Sequence, residues 1–275
     1  MYISVNQSFF KEDEATFSIM PWHLQTNGCI LTEDVRANAA NPILIDKHYE
    51  TIKSNAELLK FNLPDYFTLD FLSTQIKGVL TRNKHFQGAN ARITITRDMA
   101  ANLTEITISS QYASDGQYEQ NKRGLLIDIF TEAYVTTHRP SQLDQHCQLT
   151  ATMAKATALT RHLDDMLLTN EQGFVVSAIQ SSVFATKGNK LLTPPLELGV
   201  RNDVMRDVVL DVAKNIGFQI DNEAFIMDED LLTLDEIFTC DTANGLQWVT
   251  GYKNHRFIHK NSKLLNEAVN KQLFA

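Results

Sequence analysis

Three absences limit what this 275-residue chain can be. Its only cysteines, Cys29, Cys147 and Cys240, are far apart and odd in number, which argues against a disulfide framework. No apolar run approaches the roughly 20 residues of a membrane-spanning helix. Residues 1–11 lack the basic start and long apolar stretch of a signal peptide. These absences predict a cytoplasmic protein with free thiols and no membrane partner.

Long runs of like charge are also missing. The formal net charge is −8, and the lysines and arginines are scattered along the chain. Because nucleic-acid binding needs a clustered basic face, we expect no nucleic-acid partner. A small anionic ligand needs only a few local donors and stays open. The hydrophobic fraction of 43% is that of a globular protein with a substantial core.

The patterns that are present divide the chain into two parts. We predict a small N-terminal α/β domain over residues 1–112, a linker over 113–124 and a larger C-terminal domain over 125–275. The linker prediction rests on a polar stretch with two glycines and no periodicity.

Alternation and helical spacing predict the elements of both domains. In the first domain they indicate a hairpin within residues 1–20 with its turn at 11–14, helices over 45–59 and after the N-cap Thr68, and a hairpin with strands 92–96 and 105–109. In the second they indicate strands at 125–130, 165–169, 173–177, 181–192 and 237–242, and helices at 149–162, 203–216, 229–236 and 262–273. The helix over 203–216 has the strongest support, because Asn202 or Asp203 can cap it and valines recur every four residues.

An ordered series of short motifs in the C-terminal half resembles one known family. The motifs are Gly173-Phe174-Val175-Val176, Ser182-Val183-Phe184, Leu192-Thr193-Pro194-Pro195-Leu196, Leu234-Asp235-Glu236-Ile237-Phe238 and Gly245-Leu246-Gln247-Trp248-Val249. This order is similar to the class IV aminotransferases, which include branched-chain and D-amino-acid aminotransferases and aminodeoxychorismate lyase. The last motif most resembles the lyase. The match runs without gaps from about residue 143 to 249 and is weaker in the N-terminal half.

The resemblance implies a fold and a cofactor. The fold is the two-domain α/β (α+β) architecture of the D-amino-acid aminotransferase-like PLP fold type IV. Pyridoxal phosphate lies between the domains in that family, usually in a homodimer. Its chemistry needs a lysine amine, an acid that keeps the pyridine nitrogen protonated, and donors for a phosphate.

The positions that match the family's site contain other residues. The Schiff-base lysine falls on Asp144, and the acid beside the ring nitrogen falls on Ser177. The remaining positions are those that hold the phosphate in the family: Thr51 in place of an arginine, Asp203-Val204-Met205 in place of a Gly-Ile-Thr turn, the retained Arg206, and Asp241-Thr242 in the second loop. A carboxylate about 4 Å from a second negative charge is repelled by roughly 1 kcal/mol in water and roughly 4 kcal/mol at an effective dielectric of 20.

These replacements predict a family member without the usual Schiff-base chemistry: a pseudoenzyme, or a protein that binds a small molecule in the interdomain cleft. No cofactor is expected in that interpretation. The alternative is an active PLP-dependent lyase or aminotransferase with a displaced lysine, such as Lys155, and in that case PLP is expected. Another enzyme class in the same cleft is a third interpretation. Asp144 and His146 would then form a hydrolytic pair, or a metal site would draw on Asp144, His146, Cys147, Cys240 and Asp241.

Overall fold

The computed structural model describes residues 1–12, 28–98, 103–113, 116–138, 143 and 148–274. Two compact units emerge from the internal contacts, Met1–Gln117 and Tyr118–Leu273. Each unit has its own sheet. Both units combine helices with a sheet, in agreement with the predicted α/β fold class.

The N-terminal unit is an antiparallel sheet covered on one face by two helices. Its elements are β1 (Tyr2–Val5), β2 (Ser8–Lys11), β3 (Gly28–Asn38), β4 (Asn41–Pro42), α1 (Ile45–Leu58), α2 (Leu69–Arg82), β5 (Ala89–Asp98) and β6 (Leu103–Tyr112). The strand order is β2-β1-β6-β5-β3-β4.

Alternation in β5 and β6 determines which face of this sheet is buried. Ile93 pairs with Ile108 and Ile95 pairs with Ile106, so all four side chains point to the same face. They pack there in one core with residues of α1 and α2. Thr68 caps α2 as predicted, because its side chain accepts a hydrogen bond from the Phe71 N–H.

The first hairpin is shorter than predicted. Its turn follows β1 at Asn6, not at residues 11–14, because Asn6 adopts a left-handed conformation (φ 53°) that asparagine tolerates well. Asn6 Oδ1 also accepts from the Ile106 N–H at 2.9 Å, which fixes the turn against β6. The predicted second strand of this hairpin, at 15–19, lies outside the described residues.

The C-terminal unit is built on a mixed sheet. Its elements are β7 (Leu125–Ile129), α3 (Gln148–Thr160), β8 (Asp165–Thr169), β9 (Val175–Ala178), β10 (Ser182–Lys187), β11 (Lys190–Leu192), α4 (Val204–Asn215), β12 (Gln219–Asp221), α5 (Asp228–Leu231), β13 (Glu236–Asp241), β14 (Gly245–Tyr252), β15 (His255–Arg256) and α6 (Asn261–Phe274). The strands follow the order β12-β11-β10-β13-β14-β7-β8-β9, and β15 pairs with β14.

Helix α4 positions the predicted site. Val208, Val209 and Val212 bury one face of it, and its first residues follow directly on a buried acid, Asp203, which is 4% exposed. Strand β13 runs past this helix and ends at Asp241. Within the part of the chain described by the structure, no helix is long and apolar enough to cross a membrane.

Candidate functional site

Most of the predicted site residues that the structure describes lie in the C-terminal unit. Ser177 is in β9, residues 203–206 begin α4, and Asp241 with Thr242 ends β13. Asp144, His146 and Cys147 lie outside the described residues. Thr51 is in the N-terminal unit on α1.

The start of α4 is closed by its own carboxylate. Asp203 Oδ1 accepts a hydrogen bond from the Met205 N–H at 2.7 Å, and Asp203 Oδ2 lies 3.3 Å from an Arg201 guanidinium nitrogen. The first N–H groups of a helix are the ones that bind anionic ligands. One of these donors is therefore occupied by a negative charge that belongs to the chain.

The turn after β13 repeats this arrangement. Asp241 Oδ1 accepts from the backbone N–H groups of Ala243 and Asn244, both at 2.8 Å. Its second oxygen accepts from the Ser181 hydroxyl, also at 2.8 Å. Asp241 is 8% exposed. The donors of this turn are thus directed at a buried carboxylate rather than at solvent.

Cys240 precedes Asp241 at the end of β13 and is affected by the charges of both acids. Burial raises the pKa of its thiol well above the usual value, and the negative charges of Asp203 and Asp241 raise it further. The thiol is fully buried, so it stays protonated and is a poor nucleophile. The residue opposite it on the paired strand is Ser182, whose buried hydroxyl has no partner among the described residues.

Asp165 adds a third acid at the start of β8. Burial raises its pKa to about 6, and the charges of Asp241 and Asp164 act in the same direction. Hydrogen bonds from the N–H groups of Met166 (2.7 Å) and Ile179 (3.2 Å) oppose the shift. Sequence patterns gave Asp165 only as part of a strand.

The retained arginine and the serine on β9 offer little to an anion. Arg206 is 4% exposed, and one of its terminal nitrogens donates to the Pro194 carbonyl at 3.0 Å. Its Nε has no partner among the described residues. Ser177 is buried beside Leu168 on the neighbouring strand and carries no charge.

Tyr118 is a site residue that the sequence did not indicate, because it lies in the polar stretch predicted as a linker. Its hydroxyl donates to the Thr242 carbonyl at 2.8 Å and lies 3.9 Å from Met205 Sδ. A Cβ added to Gly245 would lie 2.4 Å from the Tyr118 ring, so a glycine is required there. Tyr118 therefore touches both loops that carry the acids.

The N-terminal unit holds the remaining predicted position. Thr51 lies one turn after His48 on α1, and His48 Nδ1 is 2.6 Å from Glu33 Oε1. His48 is 1% exposed, and its Nε2 has no partner in the described part of the chain. His48 is thus a buried histidine that is hydrogen-bonded to Glu33 within this unit.

The displaced lysine and the metal site considered from the sequence gain no support from the described residues. Lys155 is exposed on α3, and Lys187 and Lys190 flank an exposed turn. Among the residues whose placement is described, no group of three metal-ligating side chains is close enough to hold an ion. Asp144, His146 and Cys147, which include the proposed hydrolytic pair, fall in the stretch that is not described.

Comparisons with known proteins agree on one family. Residues 31–252 match the family profile described as "Amino-transferase class IV". The chain is 24% identical over 246 residues to the aminodeoxychorismate lyase of Bacillus subtilis, and the match covers 85% of this chain and 80% of that protein.

Two solved structures show the same fold. The branched-chain aminotransferase of Thermoproteus uzoniensis with norvaline superposes with a TM-score of 0.87 at 19% identity, over 98% of this chain and 94% of that one. The T.th. branched-chain amino acid aminotransferase complexed with N-(5'-phosphopyridoxyl)-L-glutamate gives 0.81 at 20% identity, over 98% and 92%.

The expectation that no cofactor is involved is wrong. The matched family consists of PLP-dependent enzymes, and a solved neighbour carries a phosphopyridoxyl derivative. The error came from treating altered residues as the loss of the ligand itself. At the two loops described above, however, the side chains do not fit a phosphate held by the backbone donors of Met205, Ala243 and Asn244, because carboxylates already accept those N–H groups.

Proposed function

This chain belongs to the class IV aminotransferase family, and from that premise we propose that it is an aminodeoxychorismate lyase-like member that forms no Schiff base at the family's lysine position. The proposal concerns the covalent step. Pyridoxal phosphate, the cofactor of the family, remains the ligand with which the proposal is tested.

Residue 144 carries the proposal. It is an aspartate, and a carboxylate has no amine with which to form an imine. The alignment that places the family's lysine there has no gap up to Ser177. The segment between them includes a buried helix position, Ala154, and the strand β8.

Ser177 supports the same conclusion from a second position. The resemblance places there the acid that keeps the pyridine nitrogen protonated. A neutral hydroxyl supplies no negative charge, so it cannot stabilise a positive charge on that nitrogen. Two independent requirements of the family's chemistry are therefore unmet at matching positions.

The three lysines considered as replacements, Lys155, Lys187 and Lys190, are all exposed and give no support to a displaced Schiff-base residue. Lys155 is exposed on α3. Lys187 reaches the Thr233 hydroxyl at 3.4 Å and Lys190 reaches Asp221 at 3.8 Å, both on the surface. A lysine that forms a Schiff base must be held against the bound cofactor, which a surface position does not provide.

Two further expectations accompany the proposal. From the family resemblance we infer a homodimer that takes a small molecule in the family's cleft, and we keep the cytoplasmic location as a sequence-based expectation. Gel filtration with light scattering tests the first.

Borohydride trapping tests the covalent step directly. The protein is incubated with excess pyridoxal phosphate, reduced, digested and mapped by mass spectrometry. We expect only faint labelling spread over surface lysines, and the same pattern for Lys155→Ala. Asp144→Lys is expected to gain an adduct at position 144. One stoichiometric adduct at a single lysine of the wild-type chain overturns the proposal and identifies the residue that replaces the missing one.

A further inference from the structure

Two separate loops of the C-terminal unit use their anion-binding donors internally. At the start of α4, Asp203 occupies the Met205 N–H, and after β13 Asp241 occupies those of Ala243 and Asn244. These are the places where the family match puts the two halves of a phosphate site. Both carboxylates are more than nine-tenths buried.

The surroundings reduce this negative charge only in part. Arg201 pairs with Asp203, but Asp241 has the neutral Ser181 hydroxyl as its side-chain donor outside its own turn. Arg206, the one retained cation of the family's set, donates inward to a carbonyl. An incoming phosphate of about two negative charges would meet two like charges at short range and in a poorly solvated place.

We propose that Asp203 and Asp241 act as built-in competitors that weaken the binding of a phosphate group at these two loops. Their oxygens accept from the N–H groups that would otherwise donate to phosphate oxygens. The affinity for phosphate is therefore limited by the negative charge and by the occupied donors, and not by the backbone conformation of the loops. The inference rests on the proposed function, since both use the same family match. It concerns the phosphate end of the ligand and not the covalent step.

Asparagine is the substitution that isolates charge. Asp203→Asn and Asp241→Asn keep an oxygen that accepts from the same N–H groups, and asparagine is as good an N-cap as aspartate, so the loops retain their form. Asp235→Asn is the matched control, because Asp235 also accepts from a backbone N–H, that of Gly188 at 2.6 Å, but at an exposed turn.

The measurement is the ratio of affinities for pyridoxal phosphate and for pyridoxal, which differ by the phosphate alone. Equilibrium dialysis gives both constants, and circular dichroism verifies the fold of each variant. We expect each loop substitution to raise the ratio about tenfold or more, the double variant to raise it further, and Asp235→Asn to leave it unchanged. Inorganic phosphate should compete with pyridoxal phosphate for binding more effectively in the double variant than in wild type.

Other outcomes overturn the inference. They are an unchanged ratio in the folded double variant, or equal gains for pyridoxal and pyridoxal phosphate, which would indicate extra space rather than relieved charge. The borohydride trapping experiment tests the proposed function independently of this affinity ratio. An adduct at one wild-type lysine defeats the proposed function and leaves the ratio measurement valid, whereas an unchanged ratio without an adduct defeats only the present inference.

Discussion

Two helix N-termini in the C-terminal unit are closed by carboxylates that come from very different places. At α4 the acid is the cap residue itself, Asp203, with Met205 as donor. At α6 it is Glu236 on β13, which is 1% exposed. Its two oxygens accept from the backbone N–H groups of Lys260, Asn261 and Ser262 at 2.6–3.0 Å and from the Ser262 hydroxyl at 3.0 Å.

The same interaction, a carboxylate that accepts hydrogen bonds from N–H groups at a helix start, is local at α4 and tertiary at α6. Asp203 caps α4 through a hydrogen bond from the N–H two residues later in the sequence, and this contact affects only the start of that helix. Glu236 reaches across 24 to 26 residues and ties the central sheet to the last helix. A carboxylate at a helix start is therefore no sign of a ligand by itself. Only at α4 does it coincide with a position that the family match assigns to phosphate.

Removal of the tertiary contact gives the largest expected effect. Glu236→Ala leaves three N–H groups at the start of α6 without an acceptor, including the buried one of Ser262, and should lower the free energy of unfolding by about 3 kcal/mol. Glu236→Gln keeps one acceptor oxygen and should lose about half as much. Chemical denaturation followed by far-ultraviolet circular dichroism measures both.

The matched control is Glu267→Ala, an exposed glutamate on α6, which should change the stability by less than about 0.5 kcal/mol. A Glu236→Ala variant as stable as this control would show that water replaces the carboxylate at the helix start, and the contrast between the two helices would disappear.

The elements that sequence patterns predicted well have strong local signals. Thr68 was predicted as the cap of α2 and Asn202 or Asp203 as the cap of α4, where the structure has Asp203, and the paired β-branched runs of β5 and β6 predicted their hairpin. Strand β3 was not predicted, because its run of Thr32 to Asn38 is largely polar and its pairing partner β5 is about 60 residues away. Long-range pairing leaves no local signal in such a strand.

The candidate site shows the same limit. Sequence resemblance pointed to Asp203 and Asp241, but not to what their oxygens bind. The roles of Tyr118 and Ser181 depend on contacts with loops 60 to 124 residues away. The mistaken expectation about the cofactor has a related cause, because residue identity alone does not determine whether a ligand enters a cleft.

Substitutions of Asp203 should change the stability by an intermediate amount, and they distinguish its role as a helix cap from its charge. Asp203→Ala removes the acceptor of the Met205 N–H and should destabilise the protein by about 1–2 kcal/mol, whereas Asp203→Asn keeps the acceptor and should cost well under 1 kcal/mol. Thermal denaturation of the two variants side by side measures the difference. Equal losses would mean that the ion pair with Arg201, and not the cap, stabilises the start of α4.

The smallest effect concerns Asp165, the acid whose backbone donors only partly offset its burial. Its pKa is raised from 3.8 to about 6 in the folded protein, so the folded state binds the proton more tightly than the unfolded state does. The stabilisation from this proton is complete below about pH 4 and is lost as the pH rises through 6.

Asp165→Asn cannot titrate, so it does not lose this stabilisation as the pH rises. Its stability relative to wild type should therefore increase by about 1 kcal/mol between about pH 5.5 and about pH 7.5, where wild type loses the last part of the stabilisation. Asp165→Ala also cannot titrate but lacks the acceptor for Met166 and Ile179, so it should show the same slope at a lower overall stability. If the stability of both variants instead changed with pH as that of wild type does, Asp165 would be solvated like a surface carboxylate. Glu236 would then be the clearest case in this unit of a buried acid that is held by backbone donors.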